Sequence, residues 1–478
     1  LFPYTTLFRS AFIFFAPLLR RIIFISKRNN STSIADFIAS RYGKSQLLGA
    51  MVALFALFGS VPYIALQLKA IAMGFNVLSA TGSGYEQLSP AAWNDSAWYI
   101  TLALAVFTVL FGTRHLESTE HHRGMIQAVA FESLIKLVAF AAVGLFVGYG
   151  LFNGFGDLFT RVQEADLLGT LTTDHVEAPA FITQTLIAML AIVCLPRQFH
   201  VMVVENTDHR DFQVARWAMP IYLLIASAFV LPIAGAGLLN PKLAGIDPDI
   251  IILQLPIMAG KEWLAVLAFL GGGSAAAAMV IVCSVAIATM ISNEIVMPGL
   301  LKFFRLGMNR RNDLSFLLLT IRRVAIFVVL LTAYGFYRMA GADYSLTAFG
   351  LLSFAAAAQF GPALVGGILW REGNLTGAAW GLGLGFLMWC YMLLLPALAS
   401  TGWISTTLIE HGVFGWEWTR PTALFGSQLD QTSHGILWSL GVNTTVYIFL
   451  SLVTRQRIRE KIQVAAFFHL PHPKDDSA

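Results

Sequence analysis

The side chains best placed to do chemistry are polar ones stranded in long apolar runs. His200 and Gln198 follow Pro196 in Leu195-Pro-Arg-Gln-Phe-His200, after which the apolar run Val201–Val204 resumes. A neutral imidazole and an amide each donate and accept hydrogen bonds, which suits a zwitterionic or polyhydroxy solute. A proline beside Arg, Gln and His inside apolar sequence predicts a broken helix, whose freed backbone groups line a site near the membrane midplane. A plainer reading accounts for the same residues: the helix ends at Pro196, Arg197 sits at the cytoplasmic interface and His200 is merely hydrogen-bonded. Tyr63, beside Pro62, and Gln67 share one long apolar stretch and are candidates to face the same cavity. Glu132 and Lys136 stand four apart in the favourable order for an intramembrane ion pair. Such a pair serves either insertion or transport. Lys69 either reaches the outer interface along its apolar stem or serves function as an ionisable residue inside a span.

Other chemistries find little support. There is no phosphate loop, no HExxH, no GxSxG and no pair of carboxylates within one span, so enzyme activity is not expected. Glu120-His121-His122-Arg123 has no spaced partner, and no metal site is expected there. Cys194, Cys283 and Cys390 lie far apart in apolar stretches and read as small buried hydrophobes. No cofactor is implied. A charged fraction of 12% and a net charge of +4 exclude a nucleic-acid partner, and 57% hydrophobic residues exclude a string of soluble domains.

These residues need helices to hold them. A hydrocarbon core ~30 Å thick takes about 20 mostly apolar residues per helix. Eleven stretches approach that length: 11–25, 46–80, 97–113, 124–152, 180–196, 217–239, 263–298, 314–339, 345–370, 375–399 and 434–453. None alternates with period two, so the expected fold is an all-α polytopic membrane protein of about 11 transmembrane helices. Of 31 Lys and Arg, 23 fall to the side of the connections after odd-numbered stretches and the tail, counting Arg20, Arg21, Arg322 and Arg323 in the ends of the stretches that border them. Five (Arg161, Lys242, Lys261, Arg338 and Arg420) fall to the others, where Asp157, Glu164, Asp166, Asp174 and Glu177 collect. By the positive-inside rule the C-terminus is cytoplasmic.

The chain opens without Met on LFPYTTLFRS, residues 1–10, which look like translated adapter sequence and are set apart as a scar. Residues 11–454 then form the transmembrane domain and 455–478 a cytoplasmic tail. In that tail Ile458, Ile462 and Ala466 share a helical face, either as the start of a signalling linker or as a helix lying on the inner leaflet. Gly271-Gly-Gly273 with the small residues after it lets neighbouring helices approach closely.

Several stretches resemble the sodium:solute symporter family. Asn30-Ser-Thr-Ser-Ile-Ala-Asp-Phe-Ile-Ala-Ser-Arg-Tyr-Gly43 is similar to its cytoplasmic loop, and Pro196-Arg-Gln-Phe-His200 with Ala215-Arg-Trp217 to its broken sixth core helix. The branch fused to a sensor histidine kinase is resembled at Phe111-Gly-Thr-Arg114 with Thr119–Gly124, at Cys194–His200 with Val204-Glu-Asn206, and at Met279–Val282 leading to Met290-Ile-Ser-Asn293. The resemblance implies a LeuT-like inverted-repeat helical bundle, lacking its first core helix because 11–25 would be the second. It implies that this fragment alone transports nothing. It implies a small organic solute, an amino acid first of all, a lipid bilayer around the domain, and a C-terminal kinase module as partner. The family's eighth core helix offers two hydroxyl residues to sodium. Here those positions fall among Ala277, Ala278 and Met279, with only Ser274 near, so both Na+ and H+ stay open as coupling ion.

Overall fold

A computed structural model describes residues 16–79, 92–112, 123–171, 177–206, 209–303, 311–341, 345–400, 402 and 405–468. The adapter-like string, the start of the first apolar stretch, Asp174 and the Glu120–His122 cluster lie outside them. Each of the eleven apolar stretches is mostly helical where described. The elements used below are α1 (Ala16–Asn29), α2 (Ile34–Arg41), α3 (Gln46–Ser79), α4 (Ser96–Gly112), α5 (Arg123–Phe146), α6 (Ala178–Cys194) and α7 (Pro196–Phe199). After them come α8 (His209–Ala228), α9 (Val230–Leu239), α10 (Glu262–Met290), α11 (Arg311–Ala340), α12 (Leu346–Ala358), α13 (Gly361–Leu369), α14 (Leu375–Trp389), α15 (Gln431–Val453) and α16 (Ile458–Phe468). Among the described residues eight spans are long and apolar enough to cross a membrane, and α6 with α7 makes a ninth, bent span. α4, at 17 residues, and the 14 residues of α1 complete the eleven. The protein is an integral membrane protein.

Helices are the only open-ended solution in hydrocarbon, because each satisfies its own backbone groups. Their starts are fixed by polar residues in the connections. Ser33, Ser345, Asn374 and Asp430 each accept from an amide of the first turn they precede, at Asp36, Ala348, Gly377 and Ser433. The 34-residue α3 is the central rod, packed on by α4, α10, α11 and α12. α14 and α15 form a tight pair at one side. Gly377, Gly381 and Gly385 of α14, one turn apart, face Ser451, Tyr447 and Asn443 of α15 so closely that an added Cβ at Gly381 would lie 2.8 Å from the Asn443 carbonyl oxygen. In the Gly271–Gly273 run only Gly271 meets another helix, at Ala139 and Lys136 of α5.

The two ends of the bundle are separately clamped. At one, the buried Arg41 donates to the carbonyls of Gly367, Trp370 and Arg371 at 2.6, 3.1 and 3.3 Å, holding the C-terminus of α13. Tyr42 there donates to Ala363 O at 2.8 Å and meets the Tyr447 hydroxyl at 2.9 Å. The tail helix α16 packs against α2 at this same end. At the other end Asp95 accepts from Tyr334 at 3.0 Å and Arg338 at 3.3 Å, tying the start of α4 to the end of α11. Lys69 is buried within the bundle, and its charge acts on Asp249 in the connection before α10. Ile458 and Ile462 of α16 face away from the protein, whereas Glu460 and Phe467 are buried.

Candidate functional site

The break is where proline chemistry puts it. Pro196 has no amide hydrogen for the carbonyl of Ile192, and its ring disfavours a helical conformation at the residue before it. Leu195 is accordingly extended, at φ −65° and ψ 128°, between the end of α6 and the start of α7, and the two segments meet at 45°. Pro196 opens the second segment, the position it tolerates best. The helical path therefore runs on past Pro196 at an angle. α7 runs on into one turn of π-helix, His200–Val204, closed by the Glu205 amide donating to His200 O at 2.9 Å. In an α-helix residues five apart point about 140° away from each other. The wider turn lets them meet, and His200 Nε2 lies 3.3 Å from Glu205 Oε1 with both side chains buried.

Tyr63 faces the bend from the middle of α3. Its ring lies 5.6 Å from the Arg197 guanidinium carbon, and its hydroxyl donates to Met279 Sδ of α10 at 3.1 Å. The Arg197 charge acts on Glu132 and Lys136 of α5 and on Cys283 of α10, which is hydrogen-bonded to Ser60. The Arg197 Nε is buried without a hydrogen-bond partner, and so is one oxygen of Glu132. Gln67 is buried one turn beyond Tyr63, and Gln198 is half-buried at the bend. Of the sequence-predicted residues, Tyr63 on α3 and Glu132 and Lys136 on α5 converge on Arg197, between Pro196 and Gln198 on the broken helix, while His200 pairs with Glu205 further along it and Gln67 lies one turn beyond Tyr63. Arg197, read from sequence as part of the break or as an interfacial residue, joins them, and Glu205 meets His200 although it does not stand out by residue type and spacing. For Glu205 the reason is physical: its pairing with His200 exists only in a π-turn, which helical periodicity does not anticipate.

The ion-site candidates are placed differently. Ser274 is exposed and its hydroxyl donates to Gly271 O of its own helix at 3.3 Å. Ala277 and Ala278 are half-buried and bring no side-chain oxygen. The face of α10 that meets the cluster carries sulfur, at Met279 and Cys283. Among the described residues no group of three or more His, Cys, Asp and Glu is placed to hold a metal ion.

No family model matches the chain. Two proteins of Bacillus subtilis (strain 168) are similar to it. One is the uncharacterized symporter YhjB, 26% identical over 252 residues, which are 52% of this chain and 47% of that protein. The other is the uncharacterized symporter YodF, 26% identical over 196 residues, 40% of this chain and 34% of that one. The chain spans less than half the length of each of these curated relatives. Among solved structures, the substrate-bound outward-open state of a Na+-coupled sialic acid symporter matches 95% of this chain and 84% of its own, with a TM-score of 0.61 and 12% identity. That likeness establishes the fold as a LeuT-like helical bundle, as the sequence resemblance implies.

Proposed function

We propose that the chain is the solute-binding and translocating domain of a cation:solute symporter, with a small organic solute held at the bend in α6–α7. The observation that carries this is the 45° break at Leu195 opposite Tyr63 and the Arg197–Glu132–Lys136 cluster. A helix opened in mid-membrane beside unpaired polar atoms is costly unless something polar occupies it. An amino acid is the solute class that fits: its carboxylate has Arg197 Nε to accept from, and its ammonium has the free oxygen of Glu132. Na+ and H+ are the candidate coupling ions. The excess of basic residues in odd-numbered connections supports a cytoplasmic C-terminus in a bacterial inner membrane. The test is equilibrium binding of a panel of radiolabelled L-amino acids to the protein in nanodiscs, alongside the Gln198→Ala and His200→Ala variants. At least tenfold weaker binding in either variant, about 1.4 kcal/mol, is expected. Unchanged affinity in both removes these residues from the site.

A second reading is favoured by the docked α16. In it solute occupancy biases a C-terminal kinase module, and transport is slight or absent. Coding sequence beyond residue 478 that specifies a PAS or histidine-kinase segment supports this reading, and a stop codon supports the plain transporter.

A further inference from the structure

The chain's own tail touches the broken helix through a short aromatic relay. Phe199 is the last residue of α7, directly before His200, and is buried. Its ring lies 5.6 Å from Phe37 of α2, and Phe37 lies 5.5 Å from Phe467 of α16, all three almost wholly enclosed. α1 in turn packs on the π-turn at 200–204. Around this relay α16 is held by direction-specific contacts. Arg21 donates to Phe467 O at 3.5 Å, Glu460 accepts from the Leu375 amide at 2.9 Å, and Gln456, just before the helix, donates to the carbonyls of Arg371 and Gly373 at 2.6 and 3.0 Å. The Phe468 ring has the guanidinium carbons of Arg21, Arg371 and Arg41 at 5.0, 5.2 and 5.8 Å.

We infer that the face formed by α1 and α2 is a docking surface for the C-terminal helix, and that its grip is set by the position of Phe199, so that α16 is latched or released as the broken helix moves. Interdigitated rings in a close-packed core do not slide independently. They hold one arrangement or switch to another. Movement of α7 by even part of a ring's width must therefore be passed to Phe37 and on to Phe467, or leave a void beside them. Three guanidinium groups on one ring make the grip easy to tip. Each gains from the π face, but they repel one another, so a displaced Phe468 is not readily replaced by any other neighbour on that surface. Coupling of this kind is reciprocal: whatever α7 does to α16, releasing α16 must do to α7.

The inference rests on the proposed function in that it takes the break at Leu195, where the solute is held, as the moving joint, but its test needs no solute. Amide hydrogen exchange is followed on the full chain in nanodiscs, comparing wild type with Phe467→Ala, Phe37→Ala and Phe199→Ala, and with Phe199→Leu as the milder change. The expected result is that Phe199→Ala or Phe199→Leu, which leaves every residue of α16 intact, speeds exchange at 458–468 by about tenfold or more. Phe467→Ala, in the other direction, speeds exchange at 200–204, while α10 stays protected in each variant and reports intact folding. Tail protection at the wild-type level in both Phe199 variants, with α10 protected, overturns the latch and leaves α16 a static anchor. A tail effect without the reverse effect at 200–204 overturns it too, because the coupling is then not reciprocal. Loss of solute binding in the Gln198 and His200 variants is read separately, so the site and the latch fail independently.

Discussion

Two cations and one carboxylate share the interior beside the bend: Arg197, Lys136 and Glu132. In hydrocarbon surroundings the removal of one partner costs more than the removal of a pair, because the survivor stays charged where solvation is poor. Glu132→Gln is therefore expected to destabilise the solubilised protein by about 1 kcal/mol, the scale of a half-buried electrostatic interaction without a direct salt bridge. The Glu132→Gln/Lys136→Met double variant is expected to be the more stable of the two. Thermal inactivation followed by size-exclusion chromatography checks the order, and a double variant no better than the single removes the coupling. Arg41 makes a similar point outside the membrane core. Its three carbonyl acceptors need a planar fork, so Arg41→Lys is expected to cost about 2 kcal/mol despite keeping the charge, read as a lower unfolding temperature. At this scale the sequence was informative wherever a polar residue interrupted an apolar run, as at Gln198, His200, Glu132 and Lys136. It was silent on Arg41, whose role depends on carbonyls more than three hundred residues away.

Helices were legible from apolar length alone, and the break at Leu195 from a single proline with its polar neighbours, because both are local consequences of backbone chemistry. Partner choice between helices was not. The run Gly271–Gly273 drew the eye as three small residues in a row, yet consecutive residues point around the helix and only Gly271 meets α5. A longer close approach belongs to Gly377, Gly381 and Gly385, which look sparse in sequence but stack on one face at four-residue spacing. Gly381→Ala would push a methyl onto the Asn443 carbonyl oxygen at 2.8 Å, a backbone atom, with the Tyr447 Cβ at 3.0 Å beside it. It is expected to cost about 1–3 kcal/mol and to loosen α14 from α15, seen as faster exchange of the α15 amides. Gly350→Ala, where nothing stands within 4 Å, serves as the control and is expected to have little effect. Equal effects from both would remove close approach as the reason. The tail helix shows the same limit. Its spacing marked Ile458, Ile462 and Ala466, but burial fell on Glu460 and Phe467 because α2 and the amide of Leu375, not α16's own pattern, decide which side is covered.

Across the whole molecule, the alternation of basic and acidic connections matches the separation of the two clamped ends. Arg41, Arg371 and the tail gather at one, Asp95 and Arg338 at the other. That ordering was readable in sequence because insertion acts on each connection in turn. Ion coupling is another matter. A bundle shared at 12% identity with a Na+-coupled symporter hands down the arrangement of helices and leaves each ligand to be checked. Na+ wants hard oxygen donors. α10 turns Met279 and Cys283 toward the cluster, whereas the Ser274 hydroxyl is spent on Gly271 O and the residue is exposed. Replacing Ser274 with alanine is accordingly expected to leave the Na+ concentration for half-maximal solute binding within about twofold of wild type, less than 0.5 kcal/mol. Titrating NaCl against choline chloride at constant ionic strength, in both proteins, measures it. A rise of tenfold in Ser274→Ala would place the cation on α10 after all, with the exposed serine turning inward when solute binds.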